Sequence, residues 1–125
     1  MENSREPSLL HDKSYAFALR IVRMVQHLQD EKKEHTLSKQ ALRSGTAIGA
    51  LIREAEFAQS TADYINKLSI SLKEANETDY WLTLLHDTKY IDDNAYNSIA
   101  SDCKELIAIL VSSIKTLKKK IAPLK

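Results

Sequence analysis

Residues that interrupt helices are scarce in this chain. Its two prolines, Pro7 and Pro123, stand near the ends of a 125-residue sequence, so nothing between them lacks a backbone N–H or clashes with a preceding helical turn. The only glycines are Gly45 and Gly49, and no Asn-Gly or Asp-Gly pair marks a hairpin. Strands are not expected, and an all-α body is. With two glycines four residues apart, a phosphate-cradling loop and a Gly-x-Ser-x-Gly elbow both drop out, and with them nucleotide-hydrolysing and acyl-transfer enzymes. A single cysteine, Cys103, leaves no intramolecular disulfide and no cysteine-rich zinc site, which fits a reducing compartment. No apolar run approaches the roughly 20 residues of a spanning helix. The first ten residues carry charges but no apolar stretch with a cleavage site. The expectation is a cytoplasmic protein with no membrane contact.

Neither sign of charge is in excess. Eighteen Lys and Arg face seventeen Asp and Glu, so the chain as a whole lacks the basic footprint of a nucleic-acid binder. The distribution is less even. Acids dominate from Asp87 to Asp93, whereas every charged residue after Glu105 is a lysine: Lys115, Lys118, Lys119, Lys120 and Lys125. Cations at a helix C-terminus suit the helix dipole, which explains such a run without any ligand. The same lysines are also candidate contacts for a polyanion.

What is abundant is apolar residues at helical spacing. Ala18, Ile21, Val25 and Leu28 form one stripe, and Ala41, Gly45, Ile48, Ile52 and Ala55 a second built from small side chains. Leu68, Leu72, Ala75, Leu82 and Leu85 form a third, with Trp81 and Leu84 adding apolar surface on a neighbouring arc. Ile99, Cys103, Leu106, Leu110, Ile114 and Leu117 make the fourth. Helix starts are signalled by Thr36 as an N-cap, by Ser60 with Asp63 in capping-box spacing, and by Asp92 flanked by Ile91 and Tyr96 at the spacing of a hydrophobic staple. The pattern predicts a flexible segment over 1–11, a four-helix bundle over 12–120 with helices near 12–30, 37–57, 61–88 and 92–120, and a C-terminal tail over 121–125. Short connections favour antiparallel neighbours, hence an up-down-up-down bundle.

The chemistry-bearing residues do not form a known catalytic set. None of His11, His27, His35 and His86 lies three residues after a Glu or four from another His, which argues against helical di-iron and zinc motifs and against any metal. Cys103 sits on an apolar stripe with no basic neighbour to lower its pKa and reads as core. Arg5 and His11 match the Arg-His spacing of some HEPN-type helical RNases, but Pro7 lies between them and the pair precedes the first strong helical pattern. The chain is expected to be no enzyme and to need no cofactor. Gly45-x-x-x-Gly49 is more telling, because each glycine costs a helix roughly 1 kcal/mol relative to alanine. Close approach of another helix, inside the bundle or from a second subunit, would offset that cost. Gly45, Gly49, Trp81 and Leu84 are therefore candidate helix-packing or oligomer-interface residues, and Arg43, Arg53, Lys115, Lys118, Lys119 and Lys120 candidate nucleic-acid contacts.

The strings QALRSGTAIGALIREAEFAQS and DYINKLSISLKEANETDYWLTLL, over 40–60 and 63–85, resemble the two signature helices of the four-helix bundle proteins also called 23S rRNA-intervening-sequence proteins. Arg43-Ser44-Gly45, Ile48-Gly49, Arg53-Glu54-Ala55 and Glu74-Ala75-Asn76-Glu77-Thr78 fall in family order. Leu51 departs, standing where members commonly carry Asn. The resemblance implies a bacterial protein that assembles into a ring-like homopentamer with no catalytic site. A related branch, the accessory proteins of diversity-generating retroelements, implies RNA and a reverse transcriptase as partners; those proteins are basic, and this chain is not comparably so. The resulting expectation is a non-enzymatic, self-assembling scaffold or adaptor, with RNA binding through the lysine-rich end as the alternative.

Overall fold

The computed structural model describes residues 5–121, with side chains from Leu9 onward. Four helices follow one another: α1 (Arg5–Asp30), α2 (Leu37–Ala55), α3 (Thr61–Asp87) and α4 (Asp93–Ile121). No strand occurs among the described residues. Helix α1 begins at Arg5, so residues 5–11 of the expected flexible segment over 1–11 are helical, a correction. Pro7 is its third residue, and the N–H that proline lacks would have had no intrahelical partner in the first turn anyway. Residues 1–4, and the part of the expected tail beyond Ile121, lie outside the described residues.

Pairwise contacts fix the directions. As α2 positions fall from Glu56, just past its end, to Ser38, their α1 partners rise from His11 to Gln29, so the two helices are antiparallel. Thr78 meets Ser44 and Ser71 meets Ile48 between α2 and α3. Thr83 meets Tyr96, and Cys103 meets Ala75, between α3 and α4. Arg20–Asp102 and Lys13–Glu105 close α4 back onto α1. The result is an up-down-up-down bundle with two ends. One holds the α2–α3 turn and the C-terminus of α4. The other holds the α1–α2 and α3–α4 turns.

Most of the apolar stripes meet in one core that runs through Phe17, Ile21, Ile48, Leu68, Leu82, Cys103 and Leu106, with a smaller cluster of Leu28, Ala41, Leu85 and Ile91 at the two-turn end. Along the seam between α2 and α3, three buried positions carry hydroxyls: Ser44, Ser71 and Thr78. A buried hydroxyl costs stability unless it is bonded. Ser71 donates to the Ile48 carbonyl at 3.0 Å, bridging α3 to α2. The Thr78 hydroxyl lies 2.9 Å from Ser44 Oγ and 2.8 Å from the Glu74 carbonyl. These small polar residues let α2 and α3 approach closely while leaving no hydroxyl orphaned.

Turn chemistry explains where each helix starts. Ser60 accepts from the Asp63 N–H at 3.1 Å, while the Asp63 carboxylate reaches back to the Gln59 N–H at 3.2 Å, one residue earlier than a capping box requires. Asp92 accepts from the Ala95 N–H at 2.8 Å, and Ile91 and Tyr96 pack at the same cluster. The expected Thr36 cap is corrected: Thr36 precedes the helix with torsion angles in the right-handed helical region, and its side chain makes no capping bond. Glu34 does the work instead, its carboxylate accepting from the N–H groups of Thr36, Leu37 and Ser38 at 3.1, 2.9 and 2.7 Å. Burial raises the pKa of this side chain, which is only 8% exposed, but the backbone bonds outweigh burial and hold it below its usual value.

With so little glycine, lysines occupy the left-handed positions after two helices: Lys33 at φ 56° and Lys89 at φ 73°. Lys89 closes α3 in a Schellman motif. Its N–H reaches the His86 carbonyl at 3.0 Å, and the Tyr90 N–H reaches the Leu85 carbonyl at 2.9 Å.

Candidate functional site

The two glycines resolve differently. A Cβ at Gly45 would stand 2.9 and 3.0 Å from two carbons of Ile21, so the missing side chain makes room for α1 inside the same chain. A Cβ at Gly49 would meet Ser14 no closer than 3.3 Å. Gly49 also borders a shallow groove of about 340 Å³ between α1 and α2, with Tyr15, Ala18, Ala50 and Arg53 along it. Two large side chains stand exposed on the outer side of α1: Tyr15 is 57% exposed and Leu19, one turn later, 38%. The sequence stripe of α1 did not mark these two residues, because they lie outside its buried arc.

Trp81 is half-buried. Its Nε1–H donates to Glu77 Oε2 at 2.9 Å, and its ring meets Tyr80 edge-on at 5.0 Å. Leu84 is half-buried on the same helix, whereas Tyr80 is exposed. Arg43 pairs with Glu77 and with Glu74, so its charge is satisfied across the α2–α3 seam and is poorly placed for phosphate. Arg53 is exposed at the end of α2. Lys115, Lys118, Lys119 and Lys120 are all exposed and have no ion pair among the described residues. Leu117 packs beside the α2–α3 turn, which brings these lysines to the end of the bundle where Phe57 stands 82% exposed. These lysines therefore share an end of the bundle with Phe57, whereas Arg43 is paired across the α2–α3 seam.

At the opposite end the molecule has a feature that the sequence did not suggest. A cleft of about 980 Å³ opens between the second half of α1 and the α3–α4 turn. Its α1 wall carries Arg23 and His27, Lys32 follows from the next turn, and Lys89 faces them. Met24, Tyr90, Ile91 and Ile99 give it apolar lining. On the far wall His86 stacks on Tyr96 at 4.3 Å and its Nε2–H donates to Asp93 Oδ1 at 2.7 Å. That hydrogen bond, with the histidine's charge, holds the Asp93 carboxyl below its ordinary range. Arg20 closes the cleft's inner end through Asp102 at 2.5 Å and Ser98. His86 ends α3, as its position suggested, but its stacking partner lies ten residues away across a turn and was not legible.

Other candidates find structural roles. His11, now inside α1, donates from Nδ1 to Glu56 Oε2 at 2.6 Å and ties the start of α1 to the end of α2; the Arg5 side chain lies outside the described residues. Cys103 is fully buried, and burial, with Asp79 adding, pushes its thiol up to about 12. Among the described residues no group of three or more His, Cys, Asp or Glu could hold a metal ion, and no helix is long and apolar enough to cross a membrane.

The family model for the 23S rRNA-intervening sequence protein matches residues 8–112, which spans all of α2 and α3 and most of α1 and α4. The chain belongs to that family. A crystal structure of a protein of unknown function from the S23 ribosomal protein family of Bacteroides thetaiotaomicron is similar to it, with 56% sequence identity and a TM-score of 0.87. The match covers 88% of this chain and 98% of the Bacteroides protein. The likeness extends beyond the two signature helices to the whole bundle.

Proposed function

We propose that this member of the 23S rRNA-intervening sequence protein family is a non-enzymatic protein that self-assembles, as a homopentamer, into a scaffold or adaptor. The observation that carries the reading is the apolar outer side of α1, where Tyr15 and Leu19 stand in water beside the groove floored by Gly49 and Ala50. Burying such residues between subunits gains about 25 cal/mol per Å² of apolar surface, and exposed apolar patches mark interfaces. Tyr80, with Trp81 and Leu84 behind it, is a second exposed apolar position on a different helix. Two different surfaces are what a ring needs, because a closed ring uses head-to-tail contacts. Sedimentation velocity on Tyr15→Glu/Leu19→Glu tests the reading. A shift to the monomer with unchanged helicity supports it, and an unaltered sedimentation coefficient removes this surface from the interface.

A second reading, an RNA-binding accessory protein like those of diversity-generating retroelements, is favoured by one observation. Lys115, Lys118, Lys119 and Lys120 share an end of the bundle with exposed Phe57, an arrangement suited to backbone charge and base stacking rather than base-edge readout. It requires RNA affinity that falls steeply with salt and collapses in Lys118→Glu/Lys119→Glu/Lys120→Glu. No binding at low salt would end this reading.

A further inference from the structure

We propose that the cleft between α1 and the α3–α4 turn binds a nucleoside monophosphate group. This does not rest on the assembly reading, although Arg23 lies one turn beyond Leu19 on α1. The cleft's volume, about 980 Å³, is ample for a small ligand, and its lining supplies three kinds of contact that a nucleotide needs at once.

The first is cationic. Arg23 and Lys32 on one side and Lys89 on the other are exposed and have no ion pair among the described residues, unlike Arg20, which Asp102 holds, although the Lys89 charge also acts on Asp93. Lys89 is rooted by the two main-chain bonds that close α3, so its ammonium extends from a fixed point. Guanidinium and ammonium groups converging from two walls suit a phosphate monoester.

The second is apolar. Tyr90 and Met24 are half-buried in the lining and offer an aromatic and a polarisable surface to a planar base.

The third is acidic and argues against a bare anion. Asp87, Asp92 and Asp93 also line the cleft. Asp92 already caps α4, and Asp93 and Asp87 both face His86, at 2.7 and 3.4 Å. Their remaining lone pairs can accept from sugar hydroxyls or exocyclic amines, but they would repel sulfate or phosphate alone. The mixed lining thus selects a ligand that carries both a phosphate and neutral hydrogen-bond donors.

A free nucleotide and the terminal nucleotide of a strand share this chemistry. The test is amide chemical-shift mapping on the full chain with AMP, UMP, adenosine, inorganic phosphate and a short 5′-phosphorylated oligoadenylate. Saturable AMP shifts at Arg23, Lys32, Lys89 and Tyr90 are expected, with adenosine and phosphate at least about tenfold weaker. Arg23→Glu and Lys89→Glu should each weaken AMP by about tenfold or more at unchanged melting temperature, and the control Lys73→Glu, at an exposed position of α3 away from the cleft, should not. Oligoadenylate binding equal to AMP identifies the free nucleotide as the source, and much tighter oligoadenylate binding at the same residues identifies the strand end. The proposal is overturned by the absence of shifts at about 10 mM AMP, by phosphate binding as tightly as AMP, or by shifts confined to the Lys118–Lys120 end.

Discussion

Replacing Gly45 with alanine sets two effects of similar size against each other. In an exposed helix the change would stabilise by roughly 1 kcal/mol, the difference in helix propensity. Here the new Cβ would sit 2.9 Å from one Ile21 carbon, 3.0 Å from a second and 3.2 Å from a third. Ile21 is fully buried in α1, and a β-branched side chain in a helix has essentially one χ1 rotamer, so it cannot swing away. Overpacking of this kind costs about 1–3 kcal/mol. The net expectation is a loss of about 1 kcal/mol, or a fall of about 3–5 °C in the melting temperature. Thermal and urea unfolding of Gly45→Ala, Gly49→Ala and Gly45→Ala/Ile21→Ala measure it. Gly49→Ala should be close to neutral, because Ser14 stands 3.3 Å from the new Cβ and needs to give by only a few tenths of an ångström. The double variant should be more stable than the sum of its single changes, since the cavity left by Ile21 accepts the methyl group. A Gly45→Ala protein that gains stability like an exposed helix would refute the close approach of α1 and α2.

Three other outcomes follow from the same structure. Glu34→Gln should cost about 1–2 kcal/mol at neutral pH by weakening the cap on α2; because the carboxyl's folded pKa is lowered, its contribution is present above the usual value near 4.5 and lost as pH falls through the folded value, so wild type and variant should converge in acid unfolding. Lys89→Gly should raise stability by roughly 0.5–1 kcal/mol in chemical denaturation, since relief of the left-handed strain exceeds the added entropy of the unfolded glycine. Cys103, with its thiol at about 12, should resist thiol reagents at pH 8 in the folded protein and react on unfolding, and rapid native modification would contradict its burial.

The fold was legible because the chain is locally consistent. Apolar positions such as Ile99, Cys103, Leu106 and Leu110 recur at helical spacing, and Ser60 and Asp92 announce the helices that follow them. What escaped were features that depend on exceptions. Pro7 suggested a break but sits in the one turn that tolerates it. Ser44, Ser71 and Thr78 are polar and were left off the buried stripes, although their hydroxyls are bonded across α2 and α3. Glu34 stands two residues before the apparent cap and captures three N–H groups that Thr36 was expected to serve. The two-turn cleft joins residues from α1 with residues some sixty positions later, a juxtaposition with no local signature. The basic candidates divided for a related reason: spacing placed Arg43 among them, but only the packed structure shows that Glu74 and Glu77 neutralise it.

The measurement that bears most directly on the account is the absolute mass of the protein in solution, by light scattering at two concentrations and moderate salt. Self-assembly through the exposed faces of α1 and α3 predicts a mass of five chains of 14.2 kDa, independent of dilution. A stable monomer at both concentrations would contradict the scaffold and leave Tyr15, Leu19 and Tyr80 without the partner the account assigns them.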